Sequence, residues 1–347
     1  MNVFSYFCPL PEKAGFGKGW QCPVLPSLTF IRPMDKWLVV VNPNAGIGKV
    51  ARDWKKISSI LDRRDFDYQA VFTRAPFHAT ELVREHIAGS FRKIVSVGGD
   101  GTLNEVVNGI FGQDHWPTTG ITLGVIPVGT GNDWIRTYNI PTDYEGAVEV
   151  LSNGRTMLQD AGTVSFMNGP ENLTRYFINM AGLGFDGLVA QKTNADKARG
   201  RGNPFLYIKH LLSSLFAYRS CGTTVTIDGQ VINKKVFSIG VGIGQYNGGG
   251  MHQAPDAKPD DGLFDLTLIR DLSRLSVIAN LGRLYNGSIK KHKRVTAYLG
   301  RHIRIESESP LLLEADGESL GHSPLEFHIV PQSVRVLVNN GRVDPGG

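Results

Sequence analysis

The chain has 347 residues, of which 41% are hydrophobic, and these values predict two domains with ordinary packed cores. A formal net charge of +5 suits anionic partners such as phosphates or acidic lipid surfaces and does not indicate nucleic-acid binding. The three cysteines, Cys8, Cys22 and Cys221, lack metal or redox spacing and fit a reducing, cytoplasmic compartment. No apolar run reaches the roughly 20 residues that span a bilayer, and the first ten residues do not resemble a signal peptide.

Residues 1–33 differ from the rest of the chain, because they contain five prolines and show no periodicity. This composition predicts a loose N-terminal extension, since chain ends are commonly disordered. A misassigned start is an alternative, because Met34 stands directly before the first predicted strand. An ordered extension also stays open.

Residues 34–157 alternate short apolar strands with helical patterns. The predicted strands lie at 37–41, 68–73, 94–97 and 122–127. The predicted helices lie at about 50–61, 79–88, 103–110 and 134–138. This alternation predicts a parallel, three-layer α/β domain with crossover helices.

Three glycine-bearing loops, at residues 42–49, 98–102 and 128–133, each join a predicted strand to a helix. Glycines let the backbone approach an anion, and the first N–H groups of a helix lack intrahelical partners. In an open α/β sheet such loops gather at the carboxyl ends of the strands, where ligands bind. Asp100 could hold Mg²⁺ on nucleotide phosphates or cap a helix, and Asp133 has the same two interpretations.

From residue 158 the pattern changes to short strands separated by turns, at 177–181, 223–227, 236–241, 263–269, 303–306, 311–314 and 325–330. Regular short strands predict an antiparallel β-sandwich domain over residues 158–330, with helical inserts at 204–218 and 273–286. The segment 331–347 contains a final strand at 334–338, which either stays in this domain or returns to the first.

Taken together, the motifs that begin at Asn42, Gly98 and Pro127 resemble the diacylglycerol kinase catalytic-domain family in order and spacing. This family comprises bacterial lipid kinases and is related to sphingosine and ceramide kinases. The resemblance runs from about residue 34 to the C-terminus. It implies an NAD kinase/diacylglycerol kinase-like nucleotide-binding domain, followed by an antiparallel β-sandwich that helps form a lipid cleft. The ATP-binding residues that it implies are Asn42, Asn44, Gly46, Thr73, Gly98, Gly99, Asp100, Gly101, Thr102, Asn104, Glu105, Thr130, Asn132 and Asp133.

Residues 258–263 resemble the loop that holds a structural Mg²⁺ ion in that family. The resemblance implies a carboxylate ligand from Asp261 and backbone carbonyl ligands from Lys258 and Leu263. Asp160 matches the acid that links this ion to the cleft through water. Oxygen ligands are the ones Mg²⁺ prefers, although the residues alone also fit an ordinary β-turn.

Residues 314–318 resemble the loop that carries the proposed catalytic base of the family. Phosphoryl transfer needs a carboxylate that takes the proton of the acceptor hydroxyl. We therefore expect Glu318 to be the base and Asp316 to orient or assist it, with Asp100 also in the catalytic set. An Asp-Gly hairpin with a solvated glutamate is the alternative interpretation.

One position departs from the family pattern, because Ile243 stands where relatives commonly carry asparagine. That puts one polar substrate contact in doubt. Asp186, in a stretch that matches the family, is a minor candidate for the cleft and otherwise a turn residue.

Two basic clusters favour contact with an anionic bilayer beside the apolar stripe at 205–216. They consist of Lys192, Lys197, Arg199 and Arg201, and of Lys290, Lys291, Lys293 and Arg294. Core packing of the stripe and solvation of the lysines are the alternative. A homodimer is left open by analogy with the family.

The expected function is ATP- and Mg²⁺-dependent phosphorylation of a lipid hydroxyl at the membrane surface, with diacylglycerol converted to phosphatidic acid. A sphingosine, ceramide or other lipid kinase is the first alternative. An NAD kinase shares the Gly-Gly-Asp-Gly turn, but the sequence has no Thr-Pro-Thr-Gly-Ser-Thr-type stretch. A non-catalytic nucleotide-binding regulator is the third alternative.

Overall fold

The computed structural model describes residues 34–129, 131–200 and 204–340. The expectations for residues 1–33, for Thr130 and for Arg201 lie outside the described residues, as does the side chain of Lys197. Within the described part of the chain, no helix combines the length and apolar character needed to cross a bilayer.

The first part of the chain forms a parallel sheet with strand order β2-β1-β3-β4. Its strands are β1 (Met34–Val41), β2 (Tyr68–Phe72), β3 (Phe91–Gly98) and β4 (Thr122–Pro127). The helices are α1 (Ala45–Arg63), α2 (His78–Ala88), α3 (Asp100–Phe111), α4 (Asp133–Thr137) and α5 (Tyr144–Asn153). One apolar cluster lies under α2 and α3 and another under α1 and α5, so helices cover both faces of the sheet. The prediction of a three-layer α/β domain is confirmed.

The second part is rich in antiparallel strands. They are β5 (Arg155–Asn168), β6 (Glu171–Phe177), β7 (Met180–Gly184), β8 (Cys221–Ile227), β9 (Gln230–Gly242), β10 (Tyr246–Asn247), β11 (Met251–His252), β12 (Phe264–Arg270), β13 (Val295–Gly300), β14 (His302–Ser307), β15 (Leu312–Ala315) and β16 (Glu318–Val338). Three helices accompany them, α6 (Phe185–Ala198), α7 (Pro204–Ala217) and α8 (Arg274–Tyr285). The rings of Phe177, Phe264 and Phe327 pack together in the centre of this part.

Strand β16 is longer than the sequence pattern indicated, because the segments at 325–330 and 334–338 belong to one continuous strand. Near its end it runs parallel to β4, with Arg335 opposite Thr122. Over most of its length it pairs in the antiparallel sense with β5, as far as Val338 opposite Arg155. The predicted domain boundary between residues 157 and 158 therefore falls inside β5, and its position stays a prediction.

Candidate active site

The three glycine-bearing loops lie together at the carboxyl ends of β1, β3 and β4. Asn42 Nδ2 donates a hydrogen bond of 2.9 Å to Thr102 Oγ1, which ties the first loop to α3. A Cβ atom placed on Gly129 would lie only 3.1 Å from Gly99 Cα, so the second and third loops meet backbone to backbone. No side chain separates Gly99 from Gly129, and a loop that stands before a helix in this way is suited to an anion.

The first loop bends sharply before α1 becomes regular. Gly46, Ile47 and Gly48 have φ values of 60°, 59° and 69°, which lie in the left-handed region. Such a conformation is strained for an isoleucine, by roughly 1–3 kcal/mol. The bend is held in part by Asn44, whose N–H donates to Asn42 Oδ1 over 3.1 Å. The regular helix therefore begins near the predicted position, after the glycines.

Asp100 connects the start of α3 to the start of α4. Its carboxylate accepts hydrogen bonds from the N–H groups of Asp133, at 3.0 Å, and Trp134, at 3.4 Å. The helix-capping interpretation thus holds for Asp100, which caps the neighbouring helix. Burial, together with the Asp133 carboxylate, raises the pKa of Asp100 to about 7. Two carboxylates this close repel each other, and a divalent cation beside them would relieve that repulsion.

Asp133 links the α/β part to the β-rich part. Its buried carboxylate accepts hydrogen bonds from the N–H groups of Gly249, at 2.7 Å, and Gly250, at 2.6 Å. These glycines lie in the turn between β10 and β11. Arg136 also lies beside this carboxylate, with Nε 3.4 Å from Oδ1. Asp133 therefore fixes a loop on the far side of the site.

Asp316 forms a two-residue hairpin with Gly317 between β15 and β16, and both have positive φ, at 48° and 81°. Four donors surround its buried carboxylate. They are Asn104 Nδ2 at 2.9 Å and the N–H groups of Ile178, Asn179 and Met180 at 3.1, 3.0 and 3.2 Å. Burial raises the pKa of Asp316, while these donors favour the charged form. The residue thus anchors the hairpin to α3.

Glu318 lies two residues beyond this anchor, at the start of β16. A Cβ atom placed on Gly101 would lie 2.1 Å from Glu318 Oε1, so this carboxylate rests against the first turn of α3. Asn194 Nδ2, from α6, lies 3.5 Å from Glu318 Oε2. The structure therefore brings the candidate base to the glycine-bearing loops.

Several other residues for which the resemblance implies an ATP contact have their polar groups bonded within the protein. Both carboxylate oxygens of Glu105 accept backbone hydrogen bonds near the start of α2, from Phe77 at 2.9 Å and Ala79 at 3.1 Å. Thr73 is buried at the end of β2, and Asn132 Nδ2 donates to Gly129 O over 3.0 Å. Their contact with ATP stays a prediction.

The loop with the implied metal ligands is fixed by Asp160. This buried carboxylate accepts hydrogen bonds of 2.7 Å from the N–H groups of Gly262 and Gln332. Asp261 is exposed, and its Oδ1 accepts from Leu263 N over 3.1 Å. Burial and the nearby acids of the loop raise the pKa of Asp160. Exposed oxygen donors in a negatively charged turn are a set that suits Mg²⁺, and Lys258 of the same loop is also an exposed residue.

Arg175 lies at the site, although no sequence motif indicated it. Its Nε donates to Asn104 Oδ1 over 2.9 Å, and its guanidinium lies 4.9 Å from the Phe77 ring centroid. Burial lowers the pKa of Arg175, and the charges of Glu105 and Glu318 oppose that effect. A lone arginine in a strand carries no sequence signal, but here it places a cation beside the candidate base.

Glu314 was also missed as a separate group, although it belongs to the hairpin motif. Its buried carboxylate accepts from Asn247 Nδ2 at 2.8 Å and from Gly317 N at 2.9 Å. Burial raises the pKa of Glu314 to about 8.

Asp186 lies near Glu314, and its carboxylate accepts a hydrogen bond from Ser238 Oγ over 2.6 Å. Ile243 is fully buried in the apolar core of the β-rich part.

Comparison with known proteins places these features in a family. Residues 36–164 match the model of the diacylglycerol kinase catalytic domain. Residues 179–338 match the YegS C-terminal NAD kinase beta sandwich-like domain. The yeast NADH kinase, solved with NADH, shares the fold with a TM-score of 0.50, 12% identity, and coverage of 90% of this chain and 85% of that chain.

Two diacylglycerol kinases are more similar. A solved structure of one from Bacillus anthracis str. Sterne has a TM-score of 0.66 and 24% identity, covering 88% of this chain and 97% of that chain. The diacylglycerol kinase of Staphylococcus aureus (strain MRSA252) is 30% identical over 317 residues, which cover 88% of this chain and 96% of the relative. The prediction from the three motifs is thus confirmed, and the chain belongs to the diacylglycerol kinase family.

Proposed function

We propose that this protein transfers the γ-phosphoryl group of ATP to a lipid hydroxyl and that diacylglycerol is the acceptor. The observation that carries the proposal is the contact between the Glu318 carboxylate and the first turn of α3 at Gly101. The base thereby faces the loops that are suited to phosphates. Family membership supports a kinase, and the hairpin geometry supports the choice of base.

In this reaction Glu318 takes the proton of the acceptor hydroxyl, whose oxygen then bonds to the γ-phosphorus of ATP. The bond between that phosphorus and the bridging oxygen breaks, and ADP leaves with the electron pair. Asp316 is the positioning residue, because its four hydrogen bonds hold the hairpin against α3. Arg175 supplies positive charge beside the transferred group.

The glycine-bearing loops would hold the triphosphate, since the close approach of Gly99 and Gly129 brings two of these loops together at the starts of helices. Mg²⁺ would neutralise charge on the phosphates when bound, and Asp100 and Asp133, the acids at the second and third glycine-bearing loops, are the residues that would hold it. A second Mg²⁺ would be held by Asp261 and by the carbonyls of Lys258 and Leu263, with Asp160 fixing the loop.

The test is a radiolabelled-ATP assay with Mg²⁺ against diacylglycerol, sphingosine, ceramide and NAD, with products identified by mass spectrometry. Phosphatidic acid is expected, and chelation of Mg²⁺ should stop its formation. Glu318→Gln should lower turnover by about 10²–10⁴-fold, the usual contribution of a general base. Glu171→Gln, at an exposed site at the start of β6, is the matched control and should keep full turnover.

Asp100→Asn tests the nucleotide side of the proposal. Its remaining oxygen can still accept from Asp133 N, so the fold is retained while the charge is lost. We expect turnover to fall to the background of the assay with little change in melting temperature. Full lipid phosphorylation by this variant, or formation of NADP by the unmodified protein, would contradict the proposed function.

A further inference from the structure

We propose that His302, Glu326 and His328 form a binding site for a transition-metal ion such as Zn²⁺, separate from the Mg²⁺ ions of the proposed reaction. The three residues lie on strands β14 and β16 of the β-rich part. Their ligand atoms all lie within 4.8 Å of one another. Among the side chains that the structure describes, no other group of three or more histidines, cysteines and acids is gathered this closely.

The alternation of residues along the two strands exposes these side chains to water. Ile303 and Phe327 lie opposite each other and are fully buried in the core. Because successive residues of a strand face opposite sides, their neighbours His302, Glu326 and His328 point outward. The three side chains are 46%, 48% and 53% exposed. An ion can therefore reach them from solution.

The register of the strands brings the two histidines together. His302 lies directly opposite His328 in an antiparallel pair. The N–H of His302 donates to Asp228 Oδ1 and its carbonyl accepts from Asp228 N, so both main-chain groups face away from His328. Such a non-hydrogen-bonded pair has the closer side chains of the two kinds of antiparallel pair. The rings stack with their centroids 4.3 Å apart and their planes 11° apart.

Glu326 completes the group from the same face of β16, two residues before His328. Its Oε1 lies 2.7 Å from His302 Nε2 and 3.4 Å from His328 Nε2. An ordinary ion pair accounts for the carboxylate and one histidine, but not for a second ring that directs its Nε2 to the same oxygen. Arg304, opposite Glu326, instead bonds Glu306 at 2.7 Å. The hydrogen bond with His302 lowers the pKa of Glu326, so a charged carboxylate is available to an ion.

This set of donors is typical of a transition metal rather than of Mg²⁺. Imidazole nitrogen suits Zn²⁺, Ni²⁺ and Cu²⁺, whereas Mg²⁺ prefers oxygen ligands. Two histidines and one carboxylate would leave the fourth position of a tetrahedral Zn²⁺ to water. Bonds of about 2.0–2.2 Å place two ligands of one such ion roughly 3.3–3.6 Å apart. Rotation of the exposed side chains closes the remaining gap of roughly 1–1.5 Å.

A bound ion would join β14 to the middle of β16. The ligands come from two strands, and they lie together only in the folded chain. Binding free energy is therefore added to the stability of the fold, and the melting temperature should rise with the concentration of Zn²⁺.

The test is calorimetric titration of Zn²⁺ into the full chain without an affinity tag, in millimolar Mg²⁺ that occupies sites with oxygen ligands. One Zn²⁺ ion per chain should bind and raise the melting temperature. His302→Ala and His328→Ala should each weaken binding at least about tenfold, because each removes one of three ligands. His115→Ala is the matched control and should bind normally, because this exposed histidine stands beside a single acid, Asp114, at 3.8 Å.

Circular dichroism without Zn²⁺ establishes that each variant is folded. The proposal is overturned if the unmodified chain binds no Zn²⁺ in the micromolar range, or if both histidine variants bind it as tightly as the unmodified chain. Zn²⁺ binding that is lost only when the cysteines are alkylated would also overturn it, since the ion would then lie at a thiol. Glu318→Gln should bind Zn²⁺ normally, so the outcome is independent of the proposed function.

Discussion

Asp316 and Glu318 are separated only by Gly317 and have different environments. The left-handed turn at Asp316 and Gly317 directs the Asp316 carboxylate into a set of four donors. Glu318 begins the next strand and reaches the first turn of α3. A carboxylate that already accepts four hydrogen bonds is a poor proton acceptor, so the geometry favours Glu318 as the base.

Gly101 offers a direct test of this arrangement. A methyl group there would lie 2.1 Å from Glu318 Oε1, so Gly101→Ala must displace the carboxylate. Alanine is preferred to glycine inside a helix by about 1 kcal/mol, and the displaced group is a flexible side-chain end. We expect at least about a tenfold loss of turnover by radiolabelled assay, with a free energy of unfolding that is equal or higher.

The matched control is Gly120→Ala, where an added Cβ has no neighbour within 4 Å. This variant should keep the turnover of the unmodified protein. Normal turnover in Gly101→Ala would show that the Glu318 carboxylate can leave this position without consequence for the reaction.

Glu314 makes the stability of the protein depend on pH. Burial raises the pKa of Glu314 from its ordinary value of 4.5 to about 8. Between these values the folded protein binds more protons than the unfolded chain, so the free energy of unfolding falls as pH rises. Above a pH of about 8 the stabilisation that Glu314 contributes is lost. Glu314→Gln should remove this contribution at every pH. Urea unfolding between the two pH values should then give a free energy of unfolding that changes less with pH than that of the unmodified protein.

Asp100 also has a pKa near neutral pH, but it is present in both Glu314→Gln and the unmodified protein. The difference between the pH profiles of these two proteins therefore reports on Glu314. Glu308→Gln, on a nearby exposed turn, should leave the slope of the profile unchanged. Parallel profiles for Glu314→Gln and the unmodified protein would mean that Glu314 is ionised in the fold.

At the scale of elements, the turn between β10 and β11 depends on α4. Both oxygens of Asp133 accept N–H groups of this turn. Asp133→Asn would place an NH₂ group against one of these donors, which costs about 1–3 kcal/mol for a buried group. We expect a lower melting temperature and faster hydrogen exchange at residues 249–250. Asp114→Asn, at a fully exposed side chain, should change neither measurement.

The glycine-bearing loops were predictable because each combines an apolar strand, a glycine turn and a helical pattern within about ten residues. An Asp-Gly hairpin at residues 316–317 was the alternative interpretation of the acidic motif, and the structure contains it, but Glu318 lies against α3 and is only half-exposed. Arg175 was not, because its role depends on Asn104 and on the distant hairpin rather than on its neighbours in sequence. Helices α5 and α6 were also missed, since the pattern of strands and turns around them gave no separate signal.

Strand β16 shows a different limit. Its sequence contains Pro324 and Pro331, which indicate breaks in a strand. The structure keeps the strand continuous and places register shifts between paired residues near both prolines. The strand pairs with β5 over most of its length and also with β14, β15 and β4, and such pairing between distant segments cannot be read from local patterns.

At the scale of the whole molecule, ligands should stabilise the fold by mass action. Mg²⁺ alone should raise the melting temperature, because the loop at 258–263 carries oxygen donors and Asp160 fixes it to β16. Asp261→Asn should abolish this rise, measured by differential scanning fluorimetry. Asp260→Asn, at the adjacent exposed acid, should retain it. An equal response in both variants would place the ion elsewhere.

The two parts of the molecule share β16, which begins with Glu318 and ends beside β4 in the parallel sheet. A single strand therefore runs from the proposed base to β4, the strand that leads into the third glycine-bearing loop. Any relative movement of the two parts would have to deform the ribbon of β5 and β16, and the register shift between Val330 and Val334 is the irregular position along it. In the proposed reaction, substitutions along this ribbon, far from the reacting atoms, would displace Glu318 relative to the glycine-bearing loops.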